Sequence, residues 1–492
     1  MAAAGLNHGG ASPSARGKWL ESVCGKYLQP PLKFSSDRTH MAVGLVLAPS
    51  FGLCEELPAC GAATIPSSSD GTSSVTLSHR YGPCSPADPN SGEKRPTDEE
   101  LLRRDQLRAD YIRRKFSGSN GTAAGEDGQS SKVSVPTTLG SSLDTLEYVI
   151  SVGLGSPAMT QRVVIDTSSD VSWVQCEPCP APSPCHAHAG ALFDPAASST
   201  YAAFNCSAAA CAQLGDSGEA NGCDAKSRCQ YIVKYGDGSN TTGTYSSDVL
   251  TLSGSDVVRG FQFGCSHAEL GAGMDDKTDG LIGLGGDAQS LVSQTAARYG
   301  KSFFYCLPAT PASSGFLTLG APASGGGGGA SRFATTPMLR SKKVPTYYFA
   351  ALEDIAVGGK KLGLSPSVFA AGSLVDSGTV ITRLPPAAYA ALSSAFRAGM
   401  TRYARAEPLG ILDTCFNFTG LDKVSIPTVA LVFAGGAVVD LDAHGIVSGG
   451  CLAFAPTRDD KAFGTIGNVQ QRTFEVLYDV GGGVFGFRVG AC

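Results

Sequence analysis

Two stretches of the chain end an apolar, β-branched run in an aspartate and follow it with hydroxyl residues. They are VVIDTSSD, Val163 to Asp170, and SLVDSGTV, Ser373 to Val380. Carboxylates serve as bases, acids or metal ligands, and a pair of them can divide two of these roles. Two carboxylates held about 3 Å apart at an effective dielectric near 20 repel by roughly 5 kcal/mol, so one proton is shared over a broad acidic range. Such a pair presents a base and an acid side by side. The base takes a proton from water as it attacks an amide carbonyl, and the acid donates to the carbonyl oxygen. The chemistry requires rigid loops whose hydroxyls and amides hold the carboxylates. The copies differ at one place: Gly378 follows the second aspartate by two residues, where the first copy has Ser168.

Each copy has a downstream echo. DGLIGLG, Asp279 to Gly285, follows the first aspartate by roughly a hundred residues, and GTIGNV, Gly464 to Val469, follows the second in the same way. Four elements in that order predict two related lobes, each presenting one aspartate. From about residue 141 onward the chain reads as short strands, among them EYVISVGLG, QRVVIDT, CQYIVKYGDGS, GFQFGC, GFLTLG, YYFAALEDIAVGG and GVFGFRVG. SLVSQTAARYG and PAAYAALSSAFRAGM are helical interruptions, and ASGGGGGAS is a flexible connection between the halves. The expected class is mainly β with small helices.

At 492 residues, with 62 glycines and 16% charged residues, the chain suits a turn-rich β protein of more than one domain. A net charge of −5 and the lack of a basic stripe give no reason to expect nucleic acid as a partner. Sixteen cysteines, twelve of them after residue 170, read as a disulfide framework made in the secretory pathway. Sequons at Asn120, Asn240 and Asn417 add modest support, and Asn205 is a poor fourth because a cysteine follows it. CEPCPAPSPCHAHAG gathers cysteines with His186 and His188, but no second ligand pair stands at a zinc-site distance, so disulfides are the default and no metal is expected. No GxSxG elbow is present, and the glycine run lacks the lysine and hydroxyl of a phosphate loop.

The signal-like segment is internal. MAVGLVLAPSFGLC starts at Met41 and leads into small residues near Ala59 to Ala63, so residues 41–63 read as a weak signal sequence within a targeting region 1–64. Either Met41 is the true start or the first forty residues are a separate extension. No apolar run approaches the roughly 20 residues of a membrane span, so a soluble mature protein is expected. Residues 65–140 are assigned to a prosegment, 141–335 to an N-terminal lobe and 336–492 to a C-terminal lobe. Within the prosegment, TDEELLRRDQLRADYIRRKF, Thr97 to Phe116, reads as a Thr-capped helix with an apolar side of Leu101, Leu102, Ile112 and Phe116 and a basic later half. Two readings stay open: a solvated surface helix, or a removable plug across an acidic cleft. In the second, the low-complexity SGSNGTAAGEDGQSSK that follows is the cutting region.

These motifs together resemble the pepsin-type aspartic proteases, specifically the plant nepenthesin-like branch, over about residues 145–492. The proton-sharing carboxylate pair is that class's known device. The resemblance implies a bilobal fold with Asp166 and Asp376 as the catalytic dyad. It implies support from Thr167, Ser168, Ser377, Gly378 and Thr379, with Gly283 and Gly467 behind the two loops. KYGDGSNTTGTY would be the flap, with Tyr235, Gly236 and Asp237 at its tip and Trp173 as the tyrosine's indole partner. It further implies the disulfides Cys176–Cys179, Cys185–Cys265, Cys206–Cys229, Cys211–Cys223, Cys306–Cys492 and Cys415–Cys451.

The activity expected is acid endopeptidase cleavage of peptide or protein substrates, without cofactor, by a monomeric secreted or vacuolar protein; a chloroplast destination stays open. Ser168 departs from the usual DTG and raises a rival: a weak or inactive relative acting as a binding or inhibitor protein. Were the loop to force a left-handed backbone there, serine would cost about 1–2 kcal/mol.

Overall fold

The computed structural model describes residues 97–116, 133–139, 147–179, 185, 190–235, 238–271, 277–309, 315–322, 332–421 and 423–489. The architecture is mainly β and bilobal, with each lobe built around one aspartate strand. In the first, Met159–Asp166 runs parallel to Gly280–Gly283, with Ile165 opposite Ile282 and Asp166 opposite Gly283. Trp173–Gln175 returns antiparallel on Gly280–Gly283. In the second, Ser373–Val375 runs parallel to Gly464–Ile466, and Thr382–Leu384 returns antiparallel to it. The duplicated motif is therefore one topological unit used twice, and the apolar runs are the central strands, buried on both faces.

The glycines behind the aspartates allow the unit to close. A Cβ on Gly283 would collide with the backbone of Ser169 and Asp170, and one on Gly467 with the backbone of Val380 and Ile381.

A continuous antiparallel sheet underlies both units. Its order is Val133–Leu139, Gly315–Leu319, Ser302–Cys306, Phe474–Asp479, Val484–Val489 and Ala334–Ser341. Phe303, Tyr305, Val476, Tyr478, Phe485 and Phe487 from this sheet enter the main core. Val133–Leu139, within the stretch assigned to the prosegment, is thus a strand of this sheet.

Two long strands, Asn240–Ser253 and Asp256–Leu270, form the largest hairpin of the first lobe. Short helices sit where expected: Pro386–Gly399 is one helix, while Ser290 to Gly300 resolves into Leu291–Gln294 and Ala296–Tyr299. Among the described residues no helix is long and apolar enough to cross a membrane.

The disulfides correct four of the expected pairings. Cys176 pairs with Cys265, not Cys179, because Trp173–Gln175 lies parallel to Asp256–Leu270 with Val174 opposite Cys265, leaving the two Cα atoms 5.5 Å apart. Cys179 then closes a short loop with Cys185. Cys211 pairs with Cys229, not Cys223, since both are buried in the same small core. Cys223, exposed at the end of the neighbouring strand, pairs with Cys206 instead of leaving Cys206 to Cys229. Cys415 pairs with Cys451. Cys306 is disulfide-bonded, and Cys492 lies outside the described residues.

Candidate active site

The two aspartate loops meet through reciprocal bonds. The Thr167 amide donates to Ser377 Oγ at 3.2 Å, and the Ser377 amide donates to Thr167 Oγ1 at 3.0 Å. Each hydroxyl then donates across the interface to a backbone carbonyl: Thr167 to Val375 and Ser377 to Ile165. Every donor and acceptor is buried, so each loop's polar atoms are satisfied by the other. The lobes are fixed in register at the place where the carboxylates meet.

The carboxylates themselves are held almost symmetrically. The Ser168 amide donates to Asp166 Oδ1 at 2.9 Å, and the Gly378 amide to Asp376 Oδ1 at 3.0 Å. Ser169 Oγ donates to Asp166 Oδ2 and Thr379 Oγ1 to Asp376 Oδ2, each at 2.5 Å. Behind them, the Gly283 amide donates to Ser172 Oγ and the Gly467 amide to Thr382 Oγ1, both at 3.0 Å.

Symmetry breaks at Ser168. Its backbone is outside the left-handed region, so serine carries none of the strain considered above. Its hydroxyl reaches between the carboxylates, 3.1 Å from Asp166 Oδ1 and 3.1 Å from Asp376 Oδ1. One hydroxyl proton serves one carboxylate, so holding both contacts requires a proton on the other acid. Gly378 has no such freedom: a Cβ there would stand 2.8 Å from Asp166 Oδ1 and collide with Arg108.

Arg108 comes from the helix Asp98–Phe116, which lies across the cleft. Its Nη2 donates to Asp166 Oδ1 at 2.7 Å and to Ser168 Oγ at 2.8 Å, and stands 3.5 Å from Asp376 Oδ1. Thr97 Oγ1 accepts from the Glu100 amide, capping the helix start. Leu102 packs against Val380, Ile381 and Leu412, while Ile112 packs against Tyr347, Phe349 and Phe463. Both contacts bury apolar surface, so one side of the helix is seated on the protein. Burial favours neutral acids at the pair, but the charge and hydrogen bond of Arg108, helped by Ser169 and the Ser168 amide, hold Asp166 below the usual aspartate range. Burial holds Asp376 above that range; Arg108 pulls against the rise and the Asp166 charge adds to it. With Arg108 bound, the two acids are driven apart, Asp166 downward and Asp376 upward.

The stretch expected to be the flap is the antiparallel hairpin of Cys229–Lys234 and Asn240–Ser253. Trp173 Nε1 donates to Tyr235 Oη at 2.7 Å, bringing the expected pair together over the first lobe. Gly236 and Asp237 lie outside the described residues, as do Asn120, His186 and His188. Asn240 starts the second flap strand half-buried, and Asn417 is exposed.

Sequence reasoning passed over several residues here. Ser169 had a visible signal, a hydroxyl three places after Asp166 as Thr379 is after Asp376. Asp170 had none. Its carboxylate accepts from Thr346 Oγ1 at 2.6 Å and from the Asp287 amide at 2.8 Å, joining the first aspartate loop to the strand Val344–Ala350. Burial raises Asp170 from 3.8 to about 6, although both bonds pull it down. A raised acid favours folding fully below its unfolded value, and that contribution fades as pH climbs through the folded one. Asp170 should therefore remove roughly 3 kcal/mol of stability between about pH 4 and 6. Thermal denaturation of Asp170→Asn should show a flatter pH dependence in that window than the unsubstituted chain.

Two family profiles match this chain: Xylanase inhibitor N-terminal over residues 148–321 and Xylanase inhibitor C-terminal over residues 347–489. An aspartyl protease family protein of Arabidopsis thaliana is 41% identical, covering 87% of this chain and 89% of its own. The aspartic proteinase nepenthesin-2 of Nepenthes gracilis is 33% identical over 68% of this chain and 75% of its own. Among solved structures, the basic 7S globulin from soybean shares the fold at a TM-score of 0.58 and 20% identity, covering 73% of this chain and 95% of its own. With its paired aspartate loops and matching relatives, the chain belongs to the plant nepenthesin-like aspartic protease family.

Proposed function

We propose that the protein is an aspartic endopeptidase made as a closed proenzyme, with Asp166 and Asp376 as its catalytic pair. The observation that carries this reading is the position of both carboxylates around one hydroxyl, Ser168 Oγ, at 3.1 Å from each. A group there exchanges protons with either acid. Water at that place gives a proton to the ionised carboxylate as its oxygen bonds to the substrate's carbonyl carbon. The neutral carboxylic acid donates to the carbonyl oxygen. Collapse of the adduct breaks the C–N bond: the proton taken from water goes to the leaving amine, and one adduct hydroxyl returns its proton to the other carboxylate as the new C=O forms. No metal or organic cofactor enters these steps. Rigid loop contacts supply the preorganisation, and flap closure keeps bulk water out.

In the closed form the helix Asp98–Phe116 covers the pair and Arg108 is bound to it. Release follows a cut between residues 117 and 132, the low-complexity segment. The disulfides, the sequons and the secreted character of this chemistry support a secretory-pathway destination, extracellular or vacuolar. The test is acid-pH digestion of a denatured protein by the processed chain, with and without pepstatin. A substrate left whole, or cleavage indifferent to pepstatin, sinks the reading.

Ser168 bears on rate. Its hydroxyl occupies the place the attacking water needs, so turnover requires it to rotate away. Ser168→Gly should raise kcat of the processed chain about 5-fold with KM little changed, the effect of removing one competing hydrogen bond of roughly 1 kcal/mol. Equal kcat values would show that the serine already stands aside. The same serine favours the second reading, a binding or inhibitor protein, for which the description of the matching profiles is further support.

A further inference from the structure

Beside Arg108, the plug helix places a second charged side chain in a site built to receive it. The Asp105 carboxylate accepts from the Val380 amide at 2.5 Å and from the Ile381 amide at 3.1 Å. Arg383 Nη1 donates to it at 2.8 Å. Both charged side chains are sealed, Asp105 at 2% exposure and Arg383 at 0%. Gln106 Oε1 accepts from Arg383 Nε at 3.0 Å, and Ile381 O accepts from Nη1. Arg383 Nη2 is buried with no hydrogen-bond partner among the described residues.

Two consecutive backbone amides and a guanidinium converging on one carboxylate make an anion cradle. Its parts belong to the body of the protein, on the loop that follows Asp376 and the strand Thr382–Leu384; only the carboxylate belongs to the helix. When the helix leaves, the two amides lose their acceptor. The guanidinium loses Asp105 and Gln106 and keeps only Ile381 O. Uncompensated buried donors and charge are costly, so the vacated cradle favours another carboxylate.

We infer that Val380, Ile381 and Arg383 form a substrate subsite for an acidic side chain, and that Asp105 fills it in the closed form. The inference rests on reading the cleft as a peptide-binding site. Asp105 precedes Arg108 by three residues, about 4.5 Å along a helix axis, and an extended substrate advances about 3.3 Å per residue. The acidic residue therefore lies one or two positions from the bond cut. Substrates are peptides carrying aspartate or glutamate there, and their glutamine counterparts are cut more slowly.

Binding is measured on the full chain with Asp376→Asn to block chemistry and a specific protease site inserted between residues 117 and 132, nicked so the helix can exchange. A fluorescent peptide of residues 97–116 is added at about pH 6, where aspartate is ionised. It should bind at least roughly tenfold more tightly than the same peptide with Asp105→Asn, the scale of a charge-assisted hydrogen bond. With Arg383→Gln in the protein, that ratio should fall severalfold, the two backbone amides keeping the remainder. Equal binding of the two peptides to the chain with Arg383 intact overturns the subsite, and this arm stands even if Arg383→Gln does not fold. A parallel assay gives the processed chain matched glutamate and glutamine peptides. If it cuts neither, the protease reading fails while the binding ratio still judges the cradle. If it cuts both equally, the cradle does not select substrate and the subsite fails alone.

Discussion

The chain with Asp376→Asn should fold and bind peptide normally and lose at least about a thousandfold in kcat, within the range of general acid–base effects. The reason is the single proton the pair must move. On the proposed mechanism the open pair shares one proton, so one carboxylate would act as base while the other acts as acid. Asparagine keeps the shape and the oxygen that accepts from the Gly378 amide, but it has no labile proton to give to the carbonyl oxygen and cannot take one. Thr379 Oγ1 can turn to accept from the new amide, so the loop loses no partner. Replacing the neutral acid by a neutral amide also removes like-charge repulsion at high pH. The melting temperature should stay the same or rise, and kcat should fall while KM changes little. A variant that keeps activity would place the acid elsewhere; one that loses activity together with its fold would say nothing of proton transfer. Circular dichroism and kcat measured on the same preparation separate these outcomes.

Much of this site is legible in the sequence because it is built from local repeats. An apolar run ending in aspartate, hydroxyls at fixed offsets and a distant glycine pair describe one topological unit, and two copies imply two lobes. The close approaches at Gly283 and Gly467 are written in the same way, as residues without a Cβ where chain crosses chain. Cys415 pairs with Cys451 as expected, but the four pairings of the first lobe are not legible, because they depend on register between strands far apart in sequence. Cys176 meets Cys265 through the parallel pairing of Trp173–Gln175 with Asp256–Leu270, and no local signal encodes that pairing. Burial then decides between Cys223 and Cys229, which sit opposite each other in one hairpin yet face different surroundings. Ser168 is intermediate. Its departure from the second copy is plain in the sequence, but only the fold shows that its backbone is unstrained and that its hydroxyl reaches both carboxylates. Arg108 shows the limit from the other side: the basic half of the helix was visible, but only packing selects which of its arginines meets the carboxylates. Leu102 and Ile112 seat the helix from either side of Arg108 and so fix its rotation.

That seating makes Arg108→Met the variant with the largest expected effect on closure. Methionine keeps the unbranched stem and the helix propensity, so the apolar contacts of Leu102 and Ile112 remain. The charge and the bonds to Asp166 and Ser168 are lost. Removing one partner of a buried pair usually costs about 3–5 kcal/mol because the other charge is stranded. Here the stranded carboxylates can share a proton, so docking should weaken by less, about 2–3 kcal/mol, or roughly 30- to 200-fold in the open population. The Asp105–Arg383 pair and the apolar seats still hold the helix, so the variant should remain folded. The pH dependence gives a second readout. Asp166 is held below 3.8, so its contribution to closure is present above that value and is lost as pH falls through its lowered one. Closure by Arg108 therefore weakens only below about pH 4. The unsubstituted chain should open and process in that range, while Arg108→Met should cleave peptide before processing at about pH 5 and lose the steep acid dependence. If the unprocessed variant stays as inert as the parent at about pH 5, Arg108 is not what keeps the pair closed, and the apolar seats and the Asp105 cradle carry that task.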